Sequence, residues 1–249
     1  MLLYFELMKK PVFTIEDLKE YYCNTNTCRT VVKRLMKDGL VAKIRNNMYT
    51  CIDQTTGCPV GDKFQIASNI NEWSYVSHHS AFEYYGIMDR QFYDIYVSSD
   101  KFFRDFEFHG YRYHYVKSIS FYGVDRPEDK KGISVTDIER TIVDSLKDMD
   151  KIAGIEEVIS NIRDVTSVNE EALLDYLGIY DNQFLYQKMG FILENFCQHL
   201  NLSNHFFEVC QEKIGKSKRY FTNNMMHGTY VDKWKLVVPM NIYGLSDGV

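Results

Sequence analysis

Apolar positions recur at helical spacing from the start of the chain and turn to strand-like alternation near residue 41. Leu3, Leu7 and Met8 mark a first helix over residues 2–9, which Pro11 ends. Thr14 with Asp17 three residues on resembles a capping box and predicts a second helix over 15–22 that buries Ile15, Leu18 and Tyr22. The turn and cap residues at 24–27 break it and start a third helix with Cys28, Val31, Val32, Leu35 and Met36 on one face. Gly39 stands where a helix end favours a left-handed residue. Residues 41–44 and 48–52 then alternate as strands around Arg45-Asn46-Asn47, and asparagine tolerates the positive φ of a tight hairpin. Helix, turn, helix and ribbon in this order predict a winged helix-turn-helix over residues 1–54.

Residues 55–59 are short and rich in turn formers, which marks a linker to a larger part over 55–249. Two short helices at 62–71 and 77–85 follow, the second stopped by Gly86. Residues 92–98, 106–109, 111–116 and 120–122 are dense in aromatic and β-branched residues and predict a mainly antiparallel sheet. A strand at 132–135 leads into Thr136 and Glu139, a second capping box that starts a helix to about 147. Helical spacing continues over 152–162, 167–177 (Ser167 with Glu170 as a third box), 182–200 and 203–214, and closing strands are predicted at 220–222 and 229–239. The fold class is therefore α+β, with a winged-helix head and a mixed body whose C-terminal half is helical.

Charge sharpens this division. The 249 residues are 45% hydrophobic and 25% charged, as in an ordinary folded protein, with net charge −5. Residues 1–52 hold nine Lys/Arg against five acids, whereas 53–249 hold 20 against 29. A basic head on an acidic body orients towards a polyanion. No apolar run reaches the roughly 20 residues of a membrane helix, so a cytoplasmic protein without a membrane partner is expected. The six cysteines lack zinc-ribbon spacing and read mostly as small buried hydrophobes.

In the third helix Arg29, Lys33 and Lys37 fall one turn apart, with Thr30 and Arg34 beside them, opposite the apolar face. A helix of this kind fits the major groove, so Arg29, Thr30, Lys33 and Arg34 are candidate base and phosphate contacts and Lys37 a candidate phosphate contact. The wing offers Lys43, Arg45, Asn46 and Asn47 to the backbone or minor groove of double-stranded DNA. The plain alternative is a solvated cationic helix face.

Other chemistry is thinner. His78 and His79 are adjacent rather than one turn apart, which suits one packed and one exposed ring better than a metal site. Asp94, Glu107, Asp137, Glu139, Asp144 and the Asp232-Lys233 pair raise a metal-dependent nuclease as a second reading. A third is a ligand-sensing regulator with a pocket among residues 92–122. No phosphate loop or nucleophile elbow is present, and no catalytic residue, metal or cofactor is expected.

The order of parts resembles the AbiEi-type antitoxins of type IV toxin–antitoxin systems. Val31-Val-Lys-Arg-Leu35, Gly39-Leu40 and Ile44-Arg-Asn-Asn-Met-Tyr49 are similar to the family's head, although Asn46-Asn47 replaces its usual Arg-Gly. Tyr75-Val-Ser-His-His-Ser-Ala-Phe-Glu-Tyr-Tyr-Gly86 and Val135-Thr-Asp-Ile-Glu-Arg-Thr-Ile-Val-Asp144 resemble two further family segments, and the likeness covers about residues 1–150. It implies a non-enzymatic transcriptional autorepressor that binds its own promoter and counters a nucleotidyltransferase-like toxin.

Overall fold

The computed structural model describes residues 2–88, 92–152, 154–222, 228–240 and 242. Its helices are α1 (Leu2–Leu7), α2 (Thr25–Lys37), α3 (Lys63–Ser68), α4 (His79–Tyr84), α5 (Ile138–Asp148), α6 (Ile155–Asp164), α7 (Glu170–Tyr180), α8 (Gln183–Glu194) and α9 (Asn204–Lys213). Its strands are β1 (Val41–Arg45), β2 (Met48–Cys51), β3 (Ser74–Val76), β4 (Asp94–Ser99), β5 (Phe106–Phe108), β6 (Tyr111–Lys117), β7 (Val124–Asp125), β8 (Val135–Thr136), β9 (Arg219–Tyr220), β10 (Thr229–Val231) and β11 (Leu236–Val238). The protein is α+β, and no helix among the described residues is long and apolar enough to cross a membrane.

Packing yields two compact units: Met1–Val76 with Tyr93–Ile119 and Arg126–Val135, and Ser77–Phe92 with Ser120–Asp125 and Thr136–Val249. A cut at 54/55 is not where packing divides the chain. The expected linker at 55–59 is a folded turn, in which Gly57 N donates to Asp53 O at 2.7 Å and Asp53 N to Cys58 O at 2.9 Å. Thr50 ties this turn down, its hydroxyl donating to Pro11 O at 2.7 Å and accepting from Gly61 N at 3.2 Å.

In the first unit the head closes over Leu7, Phe13, Leu18, Cys28, Val32 and Cys51. The helix expected over 15–22 is only a 3₁₀ turn at Asp17–Glu20. The reason lies in the half-made box: Asp17 Oδ2 accepts from Thr14 N at 2.7 Å and from the Thr14 hydroxyl at 2.9 Å, so that hydroxyl serves the acid rather than a helix amide. Strands β1 and β2 pair antiparallel, and Phe13 joins them by exchanging backbone bonds with Tyr49 at 2.8 and 2.9 Å. Beyond the head, the first unit's strands run in the order β5-β6-β4-β3-β8. Pairs β5/β6 and β3/β4 are antiparallel, whereas β4/β6, the longest, and β3/β8 are parallel. Rings fill one side of it: Phe106 stacks on Tyr113 at 4.8 Å and Phe103 meets Tyr115 at 5.4 Å.

The second unit buries Phe82, Leu146, Ile159, Leu177, Ile192 and Trp234 in one core. Gly190 is required there, since a Cβ would lie 2.1 Å from the Trp234 ring. The helix expected over 182–200 ends at Glu194 and continues as turns. Two expected capping boxes shift as well. Asp137, not Thr136, caps α5, and Asn169, not Ser167, caps α7. Glu139 instead accepts from Asn169 N at 2.6 Å, and Glu170 from Ser203 N at 2.7 Å, so both acids join neighbouring segments. Residues 120–122 form no strand; Ser120 Oγ accepts from Tyr122 N at 3.1 Å in a turn. Strands β10, β11 and β9 make a small second sheet in that order. Cysteines 28, 51 and 210 are buried as expected, but Cys23 and Cys58 are exposed.

Candidate nucleic-acid interface

Helix α2 begins because Asn24, in extended backbone, accepts from Asn26 N with its side chain at 2.8 Å. It ends at Gly39, whose φ of 70° lets Leu40 N reach Leu35 O at 2.9 Å. Between these ends Cys28, Val31, Val32 and Leu35 face the core. Helical geometry then forces Arg29, Lys33 and Lys37 outward on the opposite side, and all three are exposed with Thr30 and Arg34.

Three other head cations are paired: Lys9 with Glu6 at 2.8 Å, Lys10 with Asp17 at 2.6 Å, and Lys19 with Glu16. Among the described residues Arg29, Lys33, Arg34, Lys37 and Lys43 form no ion pair or side-chain hydrogen bond. The structure thus collects the head's unpaired positive charge on α2 and the first wing strand. Thr30 is turned inward along the helix, its hydroxyl donating to Asn26 O at 2.9 Å.

The wing residues separate by role. Lys43 and Asn46 are exposed. Asn47 holds the hairpin, with φ 55° and its Oδ1 accepting from Ile15 N at 3.1 Å. Arg45 is half-buried: its guanidinium lies 5.5 Å from the Phe103 ring centre and 5.4 Å from that of Phe106, and burial lowers its pKa. Arg45, expected among the DNA contacts, instead lies against the aromatic sheet. The structure also reveals a feature not expected from the sequence, a cavity of about 860 Å³ bounded by α1, α2 and residues 53–55, with Phe5, Tyr21, Val31 and Arg34 in its wall. Its only trace in the sequence is Leu2 and Phe5, apolar residues left over on the outer side of α1.

A second cluster lies in the second unit, around the segment 135–144. Arg140 is fully buried; its Nε donates to Asp144 Oδ1 at 2.9 Å, Nη1 to Tyr122 O at 2.8 Å and Nη2 to the Tyr180 hydroxyl at 3.0 Å. Tyr180 also donates to Asp144, and Tyr176 to Asp137. Burial lifts the Asp137 carboxyl above its ordinary range, against the opposing bonds from Tyr176 and Arg140 N. Every group in this cluster is satisfied by protein, as a structural network requires.

No family model matches the sequence, and no curated protein matches it. A solved structure described as the crystal structure of RV2827C protein from Mycobacterium tuberculosis is similar, with TM-score 0.66 and 13% identity over 95% of this chain and 89% of that one. At this identity the likeness concerns the fold alone.

The acids considered for catalysis are engaged elsewhere. Asp94 Oδ1 lies 2.8 Å from His114 Nε2, Glu107 pairs with Arg112 at 2.8 Å, and Asp232 with Lys235 at 2.8 Å. Among the described residues no group of three or more His, Cys, Asp or Glu side chains is placed to hold a metal ion. His78 and His79 are both buried, where one exposed ring was expected. His78 Nδ1 is 2.8 Å from the Ser77 hydroxyl, and its Nε2 is 3.6 Å from Asp148 Oδ2.

Proposed function

We propose that this protein is a DNA-binding transcriptional autorepressor and antitoxin, acting without catalysis. The observation that supports it is the outer face of α2, which presents Arg29, Lys33, Arg34 and Lys37 exposed and, among the described residues, unpaired, while Lys9, Lys10 and Lys19 are paired with acids within the head. Exposed cations on a helix closed by caps at both ends suit phosphate contacts flanking base edges in a major groove. Lys43 and Asn46 on the wing extend the same contact to the adjoining backbone. The antitoxin half rests on the resemblance of residues 75–86 and 135–144 to the AbiEi-type family, and its object is a nucleotidyltransferase-like toxin encoded alongside.

Two measurements on the intact protein test the halves separately. Titrating its own promoter duplex and a scrambled duplex of equal length should give affinities at least about a thousandfold apart, the usual lower margin of specific recognition. Equal affinities would remove the repressor reading. Co-expressed with the neighbouring toxin, an Arg29→Ala/Lys33→Ala/Arg34→Ala variant should still restore growth, because neutralisation is assigned to the body. Failure of the wild-type chain to restore growth would remove the antitoxin reading.

A further inference from the structure

We infer that the C-terminal part of the second unit carries a separate surface for single-stranded nucleic acid, built from Lys213, Lys216, Lys218, Arg219, Tyr220 and Tyr230. Residues 213–235 hold six Lys/Arg against one acid, Asp232, in a chain whose net charge is −5. Helix α9 ends at Lys213, the basic run follows, and Arg219–Tyr220 forms strand β9. Strand β11, buried through Leu236, Val237 and Val238, separates β9 from β10. The two outer strands carry Tyr220 and Tyr230, which remain 57% and 44% exposed.

These two rings converge on one cation. Lys218 Nζ is 5.5 Å from the Tyr220 ring centre and 5.4 Å from that of Tyr230. Around it Lys213, Lys216 and Arg219 are exposed and form no ion pair among the described residues. The nearby cations with structural work are distinguishable, since Lys233 pairs with Glu194 and Lys235 with Asp232 at 2.8 Å. Four like charges within seven residues repel one another, so their concentration favours an anionic partner.

Aromatic rings decide which anion. A phosphate or acidic peptide needs only the ammonium and guanidinium groups, whereas exposed tyrosines beside cations form a stacking platform between phosphate contacts. Bases in a duplex keep their faces against one another, so rings of this kind engage unpaired bases. An ammonium shifted from the rings to a phosphate leaves both ring faces open to successive bases.

This surface does not depend on the head's proposed role, and its test removes the head's contribution. Fluorescence anisotropy with a fluorescein-labelled 20-nucleotide oligo-dT is measured on the full-length protein carrying Arg29→Ala/Lys33→Ala/Arg34→Ala. Binding should persist in that background and weaken about fifty-fold between 50 and 200 mM NaCl, the salt response of roughly four single-strand phosphate contacts. Adding Lys213→Ala/Lys216→Ala/Lys218→Ala/Arg219→Ala should remove most of that salt response. Adding Tyr220→Ala or Tyr230→Ala instead should cost about fivefold or more with the salt response unchanged, as loss of one base stack would. Circular dichroism and the melting temperature should not move, because the substituted side chains are exposed. Tyrosine variants that bind like their parent, or displacement of oligo-dT by poly-glutamate as readily as by unlabelled oligo-dT, would overturn the assignment. So would loss of binding with the head variant alone.

Discussion

Helices α2 and α5 are similar in length and amphipathic pattern, yet they use arginine in opposite ways. Helix α2 keeps Arg29 and Arg34 on its exposed side without an ion-pair or side-chain hydrogen-bond partner among the described residues. Helix α5 buries Arg140 completely and bonds it to Asp144, Tyr180 and the Tyr122 carbonyl. A buried guanidinium in low dielectric must be paired and bonded, which fixes the segments around it. An exposed one costs little to leave unpaired and remains open to another molecule. Segment 135–144 is thus architectural in its central arginine, and the exposed arginines lie on α2.

The same substitution separates the two helices most strongly. Arg140→Ala leaves Asp144 buried without its cation and should destabilise the protein by about 3–5 kcal/mol. Arg34→Ala should change stability by no more than about 0.5 kcal/mol. Urea unfolding of both variants checks this, and similar losses for the two would erase the distinction. A smaller effect concerns how the helices begin. Asn24→Ala should cost about 1 kcal/mol, the usual value of one cap. Asp137→Ala should cost more, because Asp137 also accepts from Tyr176. The reverse order of melting temperatures would show that α5 does not depend on this carboxylate.

These contrasts also mark what the sequence makes legible. The apolar face of α2 through Cys28, Val31, Val32 and Leu35, its Asn24 start and its Gly39 end follow from spacing and local chemistry, and so does the exposure of Lys33 and Lys37; Met36, expected on the apolar face, is exposed. The 3₁₀ turn at Asp17–Glu20 does not, because Asp17 is held by Lys10 through Oδ1 while its Oδ2 takes the Thr14 hydroxyl that would cap a longer helix. Arg45 is unreadable from its neighbours, since its placement depends on Phe103 and Phe106, far along the chain. The basic run at 213–219 is visible as charge. Its pairing with Tyr230 depends on β11 passing between β9 and β10, a matter of topology rather than pattern.

We propose that α2 carries the DNA contacts through its unpaired cations. The most direct test is the dependence of promoter affinity on NaCl concentration for the wild-type protein and for Arg29→Ala/Lys33→Ala/Arg34→Ala. Each phosphate contact contributes about 0.9 to the slope of log affinity against log salt. Three lost contacts should therefore lower the slope by about 2.7 and weaken binding at every salt concentration. An unchanged slope and affinity in the triple variant would contradict the assignment of these contacts to α2.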